Sequence, residues 1–496
     1  MTVRRSLDKG RKAGGYLTVY MALMTAVLLT LLLTLLEGAR IGGARLKSET
    51  ALRISADSLL AEYVRELFSR YGLLFTDASY GGTASVENVR GRLLYYLNEN
   101  LDLPARSSEA GSFWRLRTAD AQIEGIRFAS DSGGRPLLEQ IHAYMAAEPA
   151  GDTLAGVSAL ADQWQGLSLD PLQWQQAERD NTEQLRQAYA ESESRRSAAA
   201  EEEPAPAEQE EAAEPVQDPL PGMAAFRQQP VLRQVLGESG QVSGAAADTE
   251  LLYTGRAHNA GNRMEADNSH HYEAADPLLA DLYLGEKFGS YTTPLPDTVF
   301  RYEQEYILYG RNSDAGNLEA AAERLLLVRM ASNMTFLFAS PGKQAEAAEM
   351  AAALSAALLI PECEEIIRYA LLFAWGYMES LRDVRTLLVG GGVPLVKKET
   401  DWAVPIEVIL TPENLAAGDP SAPGLKYPEY LGILLYLEDM TVKTGRTMDM
   451  MELNIRQSEG CGGFCMDWCY DLVSVKAAVS GNVGMDFTLA YTVCNN

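Results

Sequence analysis

Three evenly spaced cysteines are the residues in this sequence best suited to chemistry: Cys461, Cys465 and Cys469, in the string CGGFCMDWC. Three thiolates can ligate an iron–sulfur cluster or contribute to a zinc site, with Cys494 as a candidate fourth ligand. The intervals argue against a cluster. A radical-SAM-type loop has the pattern C-x3-C-x2-C, and here the last interval is wrong. No histidine lies nearby. In an exported domain the default for such residues is a disulfide, so Cys461, Cys465, Cys469 and Cys494 are read as possible disulfide partners. The chain has five cysteines, an odd number, so at least one stays a thiol or pairs between chains.

The other constellation is a polar loop, TGRAHNAGNRMEADNSHHYEA, with His258, His270 and His271 beside Glu265, Asp267 and Glu273. Imidazoles and carboxylates bind metals, but this spacing matches no metal motif and reads as an exposed loop. Gly390–Gly392 follows a helical pattern, which suits a helix cap; a phosphate loop needs a strand before it and a helix after. G-x-S-x-G, H-E-x-x-H and G-x-x-x-x-G-K-[ST] are absent, and no carboxylate pair stands out for acid–base work. The expectation is a non-enzymatic chain with no catalytic residue, cofactor or resident metal. The net charge of −26 and the lack of a basic stripe beyond the first dozen residues exclude nucleic acid as a partner.

The element that positions everything else is 15–36, GYLTVYMALMTAVLLTLLLTLL, which carries no charged side chain. As a helix it is roughly 33 Å long, enough to cross a hydrocarbon core of about 30 Å. It ends in Glu37, and a helical pattern continues, so it reads as an uncleaved signal-anchor and not a signal peptide. Arg4, Arg5, Lys9, Arg11 and Lys12 precede it; Arg40, Arg45, Lys47 and Arg53 follow. That balance, on a short free arm, places the N-terminus in the cytoplasm and the bulk of the chain outside the cell membrane as a single-pass protein. A proline-free stripe of Leu52, Ala56, Leu59, Leu60, Tyr63 and Leu67 extends the helix as a stalk to about Tyr71, with a weak junction at Gly38, Gly42 and Gly43. Thr18, Ala22, Ala26, Thr30, Thr34, Gly38 and Gly42 are small and four apart, a pattern that favours close approach of a second membrane helix. The expected partners are the bilayer and other membrane proteins.

The remaining chain divides by composition. Residues 1–14 form a basic arm, 15–36 the span, 37–150 the stalk and a first domain, 151–250 an acidic low-complexity linker or charged helix, and 251–496 a second domain. Helices are expected at 86–98, 137–147, 318–332 with Asn317 as N-cap, 345–360, 362–388, and as one or two helices over 428–456. The apolar run 366–378 contains Arg368 and is too short to span, so it is a buried helix. YEQEYILY (302–309) suits strand or helix, 113–128 one or two short strands, and the tail from Leu472 to Val493 alternates as strands do. The fold class is α+β, mainly helical, with a transmembrane helix, a stalk and a short β-rich C-terminal tail.

Several strings together resemble a known family: GGYLTVY, LLTLLEGARIGGARL, AEYVRELFSRYGLLFTDASYG, YEQEYILYGRNSDAGNLEAAAERLLLVRMASNMTFLF and MDMMELNIR. They resemble an uncharacterised, domain-of-unknown-function family of Gram-positive membrane proteins found with tight-adherence (Tad-type) pilus genes. The layout is similar to TadE/TadG-like pseudopilins. The resemblance implies a structural or assembly component of a Tad-like pilus or secretion apparatus and no chemistry; the alternatives are a surface binding or adhesion protein using the second domain and, further off, an exported enzyme using the cysteine or histidine loop. Processed prepilins carry Glu at the fifth position after the cleavage glycine, whereas the fifth residue after Gly15 is Tyr20.

Overall fold

A computed structural model describes residues 13–102, 114–147, 160, 171–202, 219–237, 240–262, 277–358, 360–481 and 485–495. Helix α1 (Ala13–Ala61) is unbroken through its glycines, against the weak junction expected there. Gly43 has a packing reason: a Cβ there would sit 2.9 Å from the Trp114 ring. The helix does not run to Tyr71. It stops at Ala61, and α2 (Arg65–Tyr71) restarts after an extended Val64. The break has a cause. Val64 donates its N–H to Phe75 O at 2.9 Å, and Glu62 turns aside to Arg92 and to the Tyr96 hydroxyl.

The two halves of α1 differ. Residues 16–39 are exposed along their whole length, and this is the one described helix long and apolar enough to cross a membrane. Beyond it, Ala44, Ala51, Leu52, Ala56, Leu59 and Leu60 are buried. They pack on α3 (Val86–Asp102) and on a small antiparallel sheet, forming one of two cores. The sheet has β3 (Cys469–Ser480) at its centre. On one side lies β2 (Arg117–Phe128); on the other lie β4 (Asp486–Cys494) and the two-residue β1 (Thr76–Asp77). The tail is thus two strands, as the alternation predicts, and β2 is a single strand. Residues near both ends of the chain share one sheet. The stalk half of α1 runs beside it in the direction of β4: Gly43 lies by Trp114, Asp57 meets the Tyr491 hydroxyl at 3.5 Å, and Leu60 O lies 3.4 Å from the Asn495 amide.

The second core is helical. It comprises α4 (Asp131–Ala147), α5 (Pro171–Glu202), α6 (Pro219–Arg227), α7 (Val231–Leu236), α8 (Pro277–Lys287), α9 (Glu303–Tyr309), α10 (Asp314–Ala339), α11 (Pro341–Ala357), α12 (Glu364–Leu388), α13 (Tyr427–Leu437) and α14 (Met440–Ile455). The stretch YEQEYILY is therefore helical. The 366–378 run lies in α12, with Leu371, Leu372, Trp375 and Met378 fully buried. Within the segment read as a linker, α5 packs against α10 and α12. Asn317 is not an N-cap. Ser313 caps α10 through Gly316 N, while buried Asn317 brackets Arg311, accepting from its N–H and donating to its carbonyl, each at 2.8 Å.

Charge is buried inside this core. The Arg329 guanidinium, fully covered, donates to Asp383 at 3.0 Å, to the Pro394 and Leu395 carbonyls, and to Tyr430. Lys397 bridges Asp383 at 2.6 Å and Glu379. On α9, Glu303 accepts from Gly289 N and Asn454, and Glu305 from Tyr291 N and the Tyr427 hydroxyl.

Candidate functional site

Arg256 joins the two loops singled out above. Its guanidinium donates to both oxygens of Glu452 at 2.8 and 2.9 Å and to Asp467 at 2.5 Å. Glu452 projects from α14, and Asp467 belongs to the cysteine loop. Asn259 N, from the histidine loop, donates to the other oxygen of Asp467 at 2.8 Å. Arg456 adds a second guanidinium to Glu452 and lies 3.5 Å from Cys465 Sγ. Burial pushes the Glu452 carboxyl up, and the two arginines pull it back.

Glu452, Cys465 and Asp467 offer ligand atoms within 4.8 Å of one another, a metal-like grouping. Arg256 already supplies the positive charge to both carboxylates, and a metal ion would have to displace it. Zinc or a chelator is therefore expected to leave the melting temperature unchanged, as measured by a thermal shift series.

Cys461, Cys465 and Cys469 stand as thiols. Cys469 is fully buried, with Sγ 3.4 Å from Cys465 O, while Cys465 Sγ faces Arg456 and Gly463 O. Cys461 lines a separate cleft of about 330 Å³ with Tyr63, Glu66 and Asp77. Cys494 lies on β4, 3.5 Å from Arg127 Nη2 and away from the loop. Burial raises all four thiols, Cys469 the most and Cys494 to about 11. A raised thiol pKa lowers the thiolate fraction, and the thiolate is both the nucleophile and the metal ligand.

In front of this node opens a cleft of about 610 Å³. Tyr253, Thr254, His258, Tyr306, Arg446 and Met448 are among its walls. His258 is exposed, its ring centroid 4.6 Å from that of Tyr253. His270 and His271, with Glu265, Asp267 and Glu273, lie outside the described residues. Asp449 is fully buried beside the cleft and accepts from Thr254 N, the Thr254 hydroxyl and the Tyr306 hydroxyl. Arg446 donates to the Ile307 and Leu308 carbonyls at the end of α9.

A left-handed turn borders this cleft: Ser132, Gly133 and Gly134 have φ of 53°, 74° and 85°. Gly134 is required twice over, by its φ and because a Cβ would fall 2.4 Å from Thr444 Cγ2. Gly134→Ala is expected to cost about 3 kcal/mol of stability, read from urea unfolding.

Residues 209–481, more than half of the chain, match a family of unknown function, DUF5702. The chain belongs to this family. The DUF5702 match takes in the Arg256 node, the cleft walls from α9 and α14, the cysteine loop and β3, while α1 and β4 lie outside it. No curated protein and no solved structure matches.

Arg256, Arg446, Glu452, Asp449 and Asp467 escaped sequence reasoning. The available signal was in α14, where Asp449 and Glu452 fall among Met448, Met451 and Ile455 on the apolar stripe, so two carboxylates had to be buried and paired. The seven small residues from Thr18 to Gly42 all lie on the exposed half of α1, and nothing comes within 4 Å of a Cβ on Gly38 or Gly42.

Proposed function

We propose that this chain is a non-enzymatic, membrane-anchored structural or assembly component of a Tad-like pilus or secretion apparatus. The observation that carries this reading is α1: one continuous helix whose first half is exposed and apolar and whose second half is built into a core. An anchor joined by a flexible linker would tether its domain loosely. An anchor that is also a core element fixes the domain's orientation, as a load-bearing or scaffolding part requires. In this reading the N-terminus is cytoplasmic, the folded body extracellular, and the small residues from Thr18 to Gly42 meet neighbouring membrane helices. Support for the pilus context comes from the sequence strings given above. Support for a structural role comes from the arginine-filled acidic node.

The test is fractionation and labelling in intact cells. Anchoring predicts that the chain resists carbonate extraction, that deleting residues 1–36 releases it, and that a membrane-impermeant maleimide reaches a cysteine introduced at exposed Ser69 without lysis. Co-purification with pilus subunits, lost on replacing Ala22 and Ala26 by Leu, supports the assembly role. Labelling only after lysis, or extraction of the full chain by carbonate, would sink the reading.

A further inference from the structure

A third cleft, of about 540 Å³, lies apart from the Arg256 node, between the segments 241–243, 291–294, 301–302 and 388–390. Its volume falls in the range of small-ligand sites, roughly 300–1,000 Å³. Its electrostatic character sets it apart from the rest of the chain. Acidic residues outnumber basic ones by 68 to 42 overall, yet no Asp or Glu is among its lining residues and Arg301 is. Among the described residues the Arg301 guanidinium makes no ion pair or hydrogen bond; only its backbone N–H is engaged, by Asp314. The Thr292 hydroxyl is buried without a partner. The Gln241 amide and the Tyr291 hydroxyl also make no hydrogen bond among the described residues.

The walls are fixed from behind. Tyr291 N donates to Glu305 at 2.9 Å, Ser243 N to the Tyr302 hydroxyl at 2.9 Å, and Ser290 and Thr293 close a turn through paired backbone bonds. The Tyr291 and Tyr302 rings meet edge to face at 5.2 Å, and Val389 adds a half-exposed apolar edge. The loop backbone is thus held in place before any ligand arrives, which lowers the ordering cost of binding, while the Arg301 and Gln241 side chains are exposed.

We propose that this cleft binds a carboxylate-bearing saccharide. One unpaired guanidinium matches one carboxylate. The amide and two hydroxyls match sugar hydroxyls, and a tyrosine ring with Val389 offers apolar surface to a pyranose face. The absence of a second cation and of a glycine-rich strand–helix turn makes a polyphosphate a poor fit. This site goes beyond the structural role proposed above and does not depend on it.

The experiment is calorimetric titration of the full detergent-solubilised chain with trigalacturonate and with neutral maltotriose. Binding of trigalacturonate, with maltotriose roughly tenfold weaker or silent, is the expected result. Arg301→Gln is expected to abolish that preference while leaving the melting temperature unchanged, since the side chain holds nothing else. Arg301→Lys is expected to restore part of it, and Tyr291→Phe to weaken binding of the acid several-fold. Equal affinity for the two sugars, no binding of either, or an acid preference that survives Arg301→Gln would each overturn the proposal.

Discussion

Replacing Arg329 by Met is expected to remove about 3–5 kcal/mol of stability and to lower the melting temperature by on the order of 10 °C. Arg329 is fully buried and satisfies five partners at once: Asp383, the Pro394 and Leu395 carbonyls, the Tyr430 hydroxyl and the Asn333 amide oxygen. Removing it strips donors from two buried carbonyls and leaves Asp383 with Lys397 and Asn333. Burial alone would raise the Asp383 carboxyl; Arg329 and Lys397 overcome that and hold it below the ordinary value. In the variant the carboxyl rises. The double variant Arg329→Met, Asp383→Leu is expected to recover part of the loss, because the single variant leaves two buried carboxylates, Asp383 and Glu379, sharing the one cation Lys397. Thermal unfolding of the wild type, both single variants and the double variant measures this directly. Losses that simply add would show that the two residues do not act as a pair.

The second large effect is in pH. Stability is expected to fall as pH rises from about 5 to about 8, the reverse of an acid-labile protein. Burial pushes Glu303 and Glu305 up from 4.5 to about 7; the bonds from Gly289 N and Asn454, and from Tyr291 N and Tyr427, pull against it. With the folded pKa above the unfolded one, the folded chain holds protons that the unfolded chain has released. The stability this confers is complete below 4.5 and lost as pH passes through about 7. Each group accounts for roughly 3 kcal/mol across that window. Buried Asp77, Asp449, Glu452 and Asp471 are raised as well and act in the same direction, whereas Asp383 acts oppositely and only at lower pH. Glu305→Gln keeps the oxygen that accepts both of its bonds and cannot titrate, so its pH slope is expected to be clearly shallower. Urea unfolding at pH 5, 6, 7 and 8 gives both slopes, and identical slopes would remove Glu305 from the account.

What the sequence revealed follows from which forces are local. The span, the helices expected at 86–98 and 362–388 and found at 86–102 and 364–388, and the two tail strands announce themselves by periodicity, which depends on neighbours a few residues apart. The stop after Ala61 did not, because it depends on Phe75 and Arg92 reaching in from other elements. Asn317 looked like a cap by type, yet Ser313, four residues earlier, takes that place and leaves Asn317 to bracket Arg311. The site was legible only as two suspicious loops. That they meet is due to one arginine, paired with an acid 196 positions away and another 211 away, and no local pattern encodes such a distance. The evenly spaced cysteines show what regular spacing leaves out: Cys465 Sγ faces Gly463 O and Cys469 Sγ faces Cys465 O, orientations set by the backbone of the loop.

The shared direction of α1 and the strands has a mechanical consequence. A pull on the N-terminal half of α1 travels along the helix axis into a layer whose strands lie along the same line. The side chains of Leu52, Ala56 and Leu59 interlock with α3 and the sheet along several turns. Sliding one layer past the other must disengage those contacts together. Peeling would break them one at a time and would need a force across the layer, not one along the helix axis. The join between the apolar half of the helix and the folded body is thus loaded in shear, its stronger direction.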